Sequence, residues 1–296
     1  MLKQKIDEIL KRNPELAPVV EVIEKEILHH DILHVMTEHG ALQRLTFIGG
    51  TSLRLCYNSS RLSEDLDFNG GHDFKPSMFD GLEDEIQSFL QKKYEIPVYV
   101  NKPSPDKQGN ISSWKISIEK EPNRADLPRQ KMHIDVCALP SFDLTNRVPI
   151  NHYGIDTPTE GMLIRCQTMD EILADKFIAL AYRAWRIKPR DVWDIVWLNQ
   201  RGIEVNNQLI NNKLEARDKE RDDFLIALGR QMKNLTENDA VKADFNSEMS
   251  RFVPQTLQAK TLDVPEYWDY VRETISNMGK RVSQPSSPTN KFDMSL

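Results

Sequence analysis

The chain has 296 residues, 28% of them charged and 39% hydrophobic, with a formal net charge of −6. That length can bury a sizeable core in one large domain or two lobes. The acidic balance excludes global attraction to nucleic acid, so a polyanionic partner would have to meet a local basic patch.

No apolar run approaches the length of a membrane span, and Met1-Leu2-Lys3-Gln4-Lys5-Ile6-Asp7 lacks the apolar core of a signal peptide. Cys56, Cys137 and Cys166 are far apart, show no metal-ligand spacing and read as reduced, mostly buried thiols. A cytoplasmic protein with no membrane partner is expected. Residues 1–40 read as two helices, with Ile6, Ile9 and Leu10 on one stripe and Val19, Ile23 and Ile27 on another, parted by Pro14 and Pro18. His29, His30, His34 and His39 crowd the second helix. No third ligand stands at a familiar spacing, so packed or surface histidines are expected there rather than a metal site.

Residues 47–68 are the stretch around which the chain is organised. A short apolar run ends in Gly49-Gly50, followed by Thr51, Ser52 and a helix-like stretch. This pattern predicts a strand, a tight turn and a helix N-terminus, where backbone N–H groups and the helix dipole favour an anion and glycine lets a phosphate approach. Asp65 and Asp67 then fall on one face of a strand. Two carboxylates so placed make a hard-oxygen site suited to Mg²⁺. A phosphate cradle beside such a site suggests nucleotidyl transfer. The plainer reading is a turn with glycine for steric reasons and two solvated aspartates.

Gly49-Gly50-Thr51-Ser52-Leu53, followed by Arg61-x-Ser63-x-Asp65-x-Asp67-Phe68, resembles the signature of the AbiEii/AbiGii nucleotidyltransferase toxins, in the DNA polymerase β-like nucleotidyltransferase superfamily. The resemblance covers about residues 40–200. It implies an α+β (α/β) fold: a nucleotidyltransferase core with a mixed β-sheet flanked by helices, followed by a mainly helical C-terminal lobe.

Further along, Pro76 is expected to open a helix running to about Lys93, with Phe79, Leu82, Ile86, Phe89 and Leu90 as its buried face. Residues 96–102 and 113–119 read as strands separated by a polar loop. Residues 131–139 alternate cleanly: Met132, Ile134, Val136 and Ala138 face one way, and His133, Asp135 and Cys137 the other. Asp135 is thus a third acidic group, open to pairing with a basic residue. The resemblance implies that it completes the metal site. Residues 140–160 read as loop with a short strand, and 162–166 as a last edge strand.

From Thr168 the texture becomes helical. Expected divisions are 1–40 as N-terminal helices packing on the core, 41–167 as the nucleotidyltransferase domain, 168–280 as the helical lobe and 281–296 as a disordered tail. Thr168 can cap the first helix, and Lys176 falls among its apolar residues Leu173, Phe177 and Leu180. Either the lysine snorkels to water or it aims its charge at a triphosphate across the cleft. The family has a lysine at the matching place, followed by an Arg-Asp-x-x-Asp segment that stands here as Arg190-Asp191-Val192-Trp193-Asp194. The resemblance gives Asp191 an active-site role. Its position also suits the positive end of a helix dipole. Asp194 reads as a structural partner to a basic group. Arg183, Arg186, Lys188 and Arg190 lie close to Trp185, Trp193 and Trp197. Basic groups beside aromatics can grip RNA, or they can end a helix whose tryptophans fill the core. The later helices, within 203–250 and 265–278, carry no readable motif.

Taken together, the resemblance implies a Mg²⁺-dependent toxin that moves NMP from an NTP to an acceptor hydroxyl. Asp65, Asp67 and Asp135 would hold two Mg²⁺ ions. Gly49, Gly50, Thr51, Ser52 and Lys176 would receive the phosphates, with Arg61 and Ser63 bracing the turn. The implied acceptor is a tRNA 3′ end, with a cognate antitoxin encoded nearby in a type IV toxin–antitoxin or phage-defence system. The alternatives are a transferase for a small acceptor such as an antibiotic, and a non-catalytic nucleotide-binding protein.

Overall fold

The computed structural model describes residues 2–104, 109–121, 126, 128–183 and 186–284. Trp185 and the C-terminal tail from 285 lie outside them. In chain order the elements are α1 (Leu2–Arg12), α2 (Val20–Glu38), β1 (Thr46–Ile48), α3 (Gly49–Tyr57), β2 (Leu66–Asn69), α4 (Leu82–Tyr94), β3 (Val98–Asn101), β4 (Ile111–Ile118), β5 (Gln130–Cys137), β6 (Leu144–Arg147) and β7 (Ile164–Gln167). Then come α5 (Met169–Tyr182), α6 (Pro189–Gln200), α7 (Asn207–Glu215), α8 (Arg221–Glu237), α9 (Asp239–Met249), α10 (Gln255–Gln258) and α11 (Tyr267–Val282).

The seven strands form one sheet in the order β3-β4-β5-β2-β1-β7-β6. β2 runs parallel to β5 and β1 parallel to β7, while the remaining neighbours are antiparallel, so the sheet is mixed as expected. Alternation in β5 does what its sequence requires. Met132, Ile134 and Val136 are buried, and His133, Asp135 and Cys137 face the opposite, half-open side.

Two expectations are corrected. The strand expected at the edge, β7, lies inside the sheet between β1 and β6, because β6 pairs with it and takes the edge. The helix expected from Pro76 is a separate 3₁₀ turn, Pro76–Phe79. Gly81, with φ +92°, breaks the path before α4 starts. The buried face is still Phe79, Leu82, Ile86 and Leu90.

α2 is buried on nearly every side, which leaves its polar residues to be satisfied internally. His29 Nε2 lies 3.0 Å from the Glu64 carbonyl, His30 Nδ1 lies 2.5 Å from Thr159 Oγ1, and Asp31 accepts from Lys93 and Tyr94. The histidines are packing residues. On the C-terminal side, Thr168 caps α5 by accepting from the Glu171 N–H at 3.3 Å. One connected apolar cluster joins Phe47 and Phe68 of the sheet to Phe177, Ile195 and Ile275 of the helices. Among the described residues no helix is long and apolar enough to cross a membrane.

α7 is fastened to α5 by Lys213, which is fully buried with its Nζ 2.8 Å from Glu171 Oε1 and 2.7 Å from Asp175 Oδ2. Removing only the cation strands a buried carboxylate. Lys213→Met should therefore cost about 3–5 kcal/mol of stability, read from urea denaturation. A variant within experimental error of wild type would show that the pair holds nothing together.

Candidate active site

Ile48 ends β1 and the chain turns directly into α3 at Gly49, whose φ is +75°. A Cβ on Gly49 would stand 2.8 Å from Asp67 Oδ2, and one on Gly50 would stand 2.2 Å from Arg61 Nη2. The two glycines are thus needed for separate reasons: the first admits an aspartate, the second an arginine. Thr51 and Ser52 are fully buried. The Thr51 hydroxyl donates to the Asp65 carbonyl and so ties the turn to the start of β2. Neither residue lines the cleft, whereas Gly49 and Gly50 do.

β2 and β5 run parallel with Asp67 opposite Asp135. Asp65, one residue before β2, accepts through Oδ1 from the His133 N–H at 2.9 Å, with His133 Nδ1 at 3.2 Å. Burial, and then the charges of Asp135 and Asp65, push the Asp67 carboxyl up to about 7. The three expected carboxylates do lie in one cleft of about 270 Å³. Among the described residues, however, no three Asp, Glu, His or Cys side chains form a ready coordination cluster. The Oδ1 atom of Asp65 is turned to His133.

The opposite wall is cationic and internally braced. Arg61 grips Asp194 through two donors, Nε to Oδ1 at 2.5 Å and Nη2 to Oδ2 at 2.6 Å. Lys176 Nζ lies 2.9 Å from Asp191 Oδ1 and 2.8 Å from Asp194 Oδ2, and Arg183 Nε donates to Asp191 Oδ2 at 3.0 Å. Lys176 does not snorkel, since its side chain is 11% exposed. Burial opposes every charge here, but the mutual pairing outweighs it. Lys176 and Arg61 are held above their usual range, and Asp191 and Asp194 below theirs. Asp194 is the structural partner the sequence suggested, bridging two cations.

The basic run is split in use. Arg186 pairs with Asp244 and Glu248 of α9. Arg190 pairs with Glu248 at 3.0 Å, lies 3.5 Å from Glu64 and stacks on Phe252. Lys188 lines the cleft and has no ion pair among the described residues, and burial followed by the neighbouring Arg190 lowers its pKa. Trp193 and Trp197 are buried in the core. Asp175, which the sequence reading passed over, also lines the cleft and holds Lys213 and Arg217. Its position directly before Lys176 was the available signal.

Carboxylates gathered on two central strands, set against buried cations and under a glycine turn, suit the handling of a phosphoryl group, the work of a nucleotidyltransferase. Residues 31–273 match the family described as "Nucleotidyl transferase AbiEii toxin, Type IV TA system". The chain therefore belongs to the AbiEii family of nucleotidyltransferase toxins of type IV toxin–antitoxin systems, and the match extends well beyond the residues that carry the sequence resemblance. MenT4, a nucleotidyltransferase toxin from Mycobacterium tuberculosis, shares the fold with a TM-score of 0.51 at 15% identity, covering 96% of this chain and 93% of that one. JHP933 from Helicobacter pylori is similar at 16% identity, covering 88% of this chain and 93% of that one, with a TM-score of 0.48. No curated protein matches.

Carboxylates with depressed folded-state pKa values contribute stability that is complete above the unfolded-state value and lost as pH falls through the folded one. Wild-type stability should thus drop below about pH 4. Asp194→Asn, which leaves Arg61 and Lys176 under-compensated, should lose about 3–5 kcal/mol at pH 7 and show a shallower acid dependence. Urea titrations at pH 7 and pH 3 check both statements.

Proposed function

We propose that this toxin transfers a nucleoside monophosphate from an NTP to an acceptor hydroxyl with release of pyrophosphate, and that the acceptor is an RNA 3′ end, tRNA foremost. The observation that carries the reading is the register pair Asp67 and Asp135 on the floor of a cleft whose wall presents Lys188, Arg183 and Lys176. The sequence resemblance supplies the choice of tRNA.

The chemistry of the donors suits a hard divalent cation, with Asp67 and Asp135 open to it and Asp65 Oδ1 engaged by His133. Asp65, Asp67 and Asp135 offer carboxylate oxygens in one cleft, and the crowding that drives Asp67 toward neutrality would be relieved by positive charge. These residues would hold Mg²⁺, which supplies Lewis-acid polarisation of the α-phosphate and activation of the attacking hydroxyl. In the transfer, the acceptor oxygen bonds to the α-phosphorus as the bond to the β-phosphate oxygen breaks. The hydroxyl proton passes toward Asp135. Pyrophosphate leaves with the electron pair toward Lys188, Arg183 and the backbone N–H groups that open α3. Lys176, paired with Asp191 and Asp194, orients that wall. An antitoxin encoded alongside would restrain the activity in the cytoplasm, in keeping with a role in phage defence.

Incubation of the protein with Mg²⁺, total tRNA and each labelled NTP in turn should label RNA with at least one nucleotide. Asp67→Asn should lower the rate at least about a thousandfold while unfolding like wild type. Lys188→Met should raise the KM for NTP about tenfold or more. Label appearing only in a small acceptor such as an aminoglycoside would overturn the RNA assignment.

A further inference from the structure

The cleft has a second compartment of about 520 Å³ on the other side of the acidic pair. Ile48, Gly49, Asp67, Asp135, Asp175, Ala179 and Arg183 belong to both compartments. The walls differ in chemistry. The first is lined by Lys176, Lys188, Arg190 and Asp191, and the second by Ile111, Ile178 and the Tyr182 ring. Ile111 is 48% exposed at the start of β4, where an open apolar residue otherwise has nothing to cover it.

The outer rim of this compartment is the turn between α7 and α8. Its shape is fixed by hydrogen bonds from the Arg217 and Lys219 N–H groups to the Leu214 carbonyl, both 3.0 Å, with Asp218 in the left-handed region at φ +52°. Arg217 is spent on Asp175 at 2.9 Å. Lys219 is exposed, has no ion pair among the described residues, and sits 5.6 Å over the Tyr182 ring, which packs in turn near Phe224.

We infer that this compartment receives the terminal nucleotide of the acceptor strand, with its base on Tyr182 and Ile178 and Lys219 meeting the phosphate one step upstream. The inference rests on the RNA-acceptor reading above. Displacement at the α-phosphorus requires the attacking oxygen to come from the side opposite the leaving pyrophosphate. The pyrophosphate belongs with the cations of the first compartment, so the nucleophile enters from the second. An NTP carries its charge on the triphosphate, so the Lys219 ammonium on the outer rim is placed for an occupant that brings a phosphate of its own there. An aromatic face with a cation above it is the sequence-tolerant means of holding a single-stranded base and its backbone. The basic run 183–190, in contrast, has Arg186 and Arg190 committed to the carboxylates of α9 and Glu64.

The test compares wild type, Tyr182→Leu, Lys219→Gln and Arg186→Gln, using total tRNA and an NTP with Mg²⁺. Tyr182→Leu and Lys219→Gln should each raise the KM for tRNA about tenfold and leave the KM for NTP within about twofold. Lys219→Gln should also flatten the dependence of tRNA binding on log salt by about one unit, and Arg186→Gln should not. Lys219→Gln sits on the surface, so it keeps the test valid if Tyr182→Leu folds poorly. A rise in the KM for NTP with tRNA unaffected would place the nucleoside in this compartment and overturn the inference. Unchanged constants in both variants would overturn it equally. A wild-type protein that labels no RNA at all refutes the reading on which the inference rests, and is told apart because no variant is needed to see it.

Discussion

The structure depends on one carboxylate. Asp194 is completely buried, yet it binds Arg61 through two hydrogen bonds and Lys176 through a third contact. Each of those three charges would be costly to bury alone. Together with Asp191 they form a desolvated set, joined at its rim by the partly exposed Arg183, that fastens α6 to α5 and to the loop after α3. Gly50 follows from the same interaction, because the guanidinium occupies the space a side chain would need. The loop is tied a second time where the Leu62 N–H donates to the Phe252 carbonyl at 2.8 Å, so the C-terminal helices set the position of the residues just before Asp65.

With that wall fixed, the site divides by sign of charge. The acidic edge belongs to adjacent parallel strands, β2 and β5, whose register places Asp67 opposite Asp135 and leaves Asp65 against His133. The cationic side belongs to α5 and the segment leading into α6. Most of its charges are already paired within the chain, and among the described residues the half-buried Lys188 lines the cleft without an ion pair. The other nearby cations are committed elsewhere: Arg186 and Arg190 are held by α9, and Arg217 by Asp175.

Much of this was legible in the sequence, because it is local. The strict alternation of β5 gives the facing of Asp135, the Gly-Gly pair after Phe47-Ile48 gives a turn into α3, and Thr168 gives the cap of α5. What escaped is long-range. Spacing says nothing about which strand lies beside which, so β7 was expected at the edge it does not occupy. The three basic residues expected to meet RNA beside Lys188 find carboxylate partners in the chain. For Arg186 these lie up to 62 residues away, which periodicity cannot reveal. Pro76 suited a helix start, but the left-handed Gly81 between it and α4 is a decision of the backbone, not of hydrophobic pattern. Nor does spacing show that Lys176, while lining the cleft, is also clamped between two aspartates contributed by the next helix.

In the proposed reaction the carboxylates of β2 and β5 and the cationic wall act jointly on a metal-bound triphosphate. Calorimetric titration with a non-hydrolysable NTP analogue, in Mg²⁺ and again in EDTA, tests it most directly. Binding should be strong in Mg²⁺ and at least about tenfold weaker in EDTA, with Asp67→Asn removing most of that difference and Lys188→Met weakening binding under both conditions. Equal affinity with and without Mg²⁺ in the wild-type protein would contradict it.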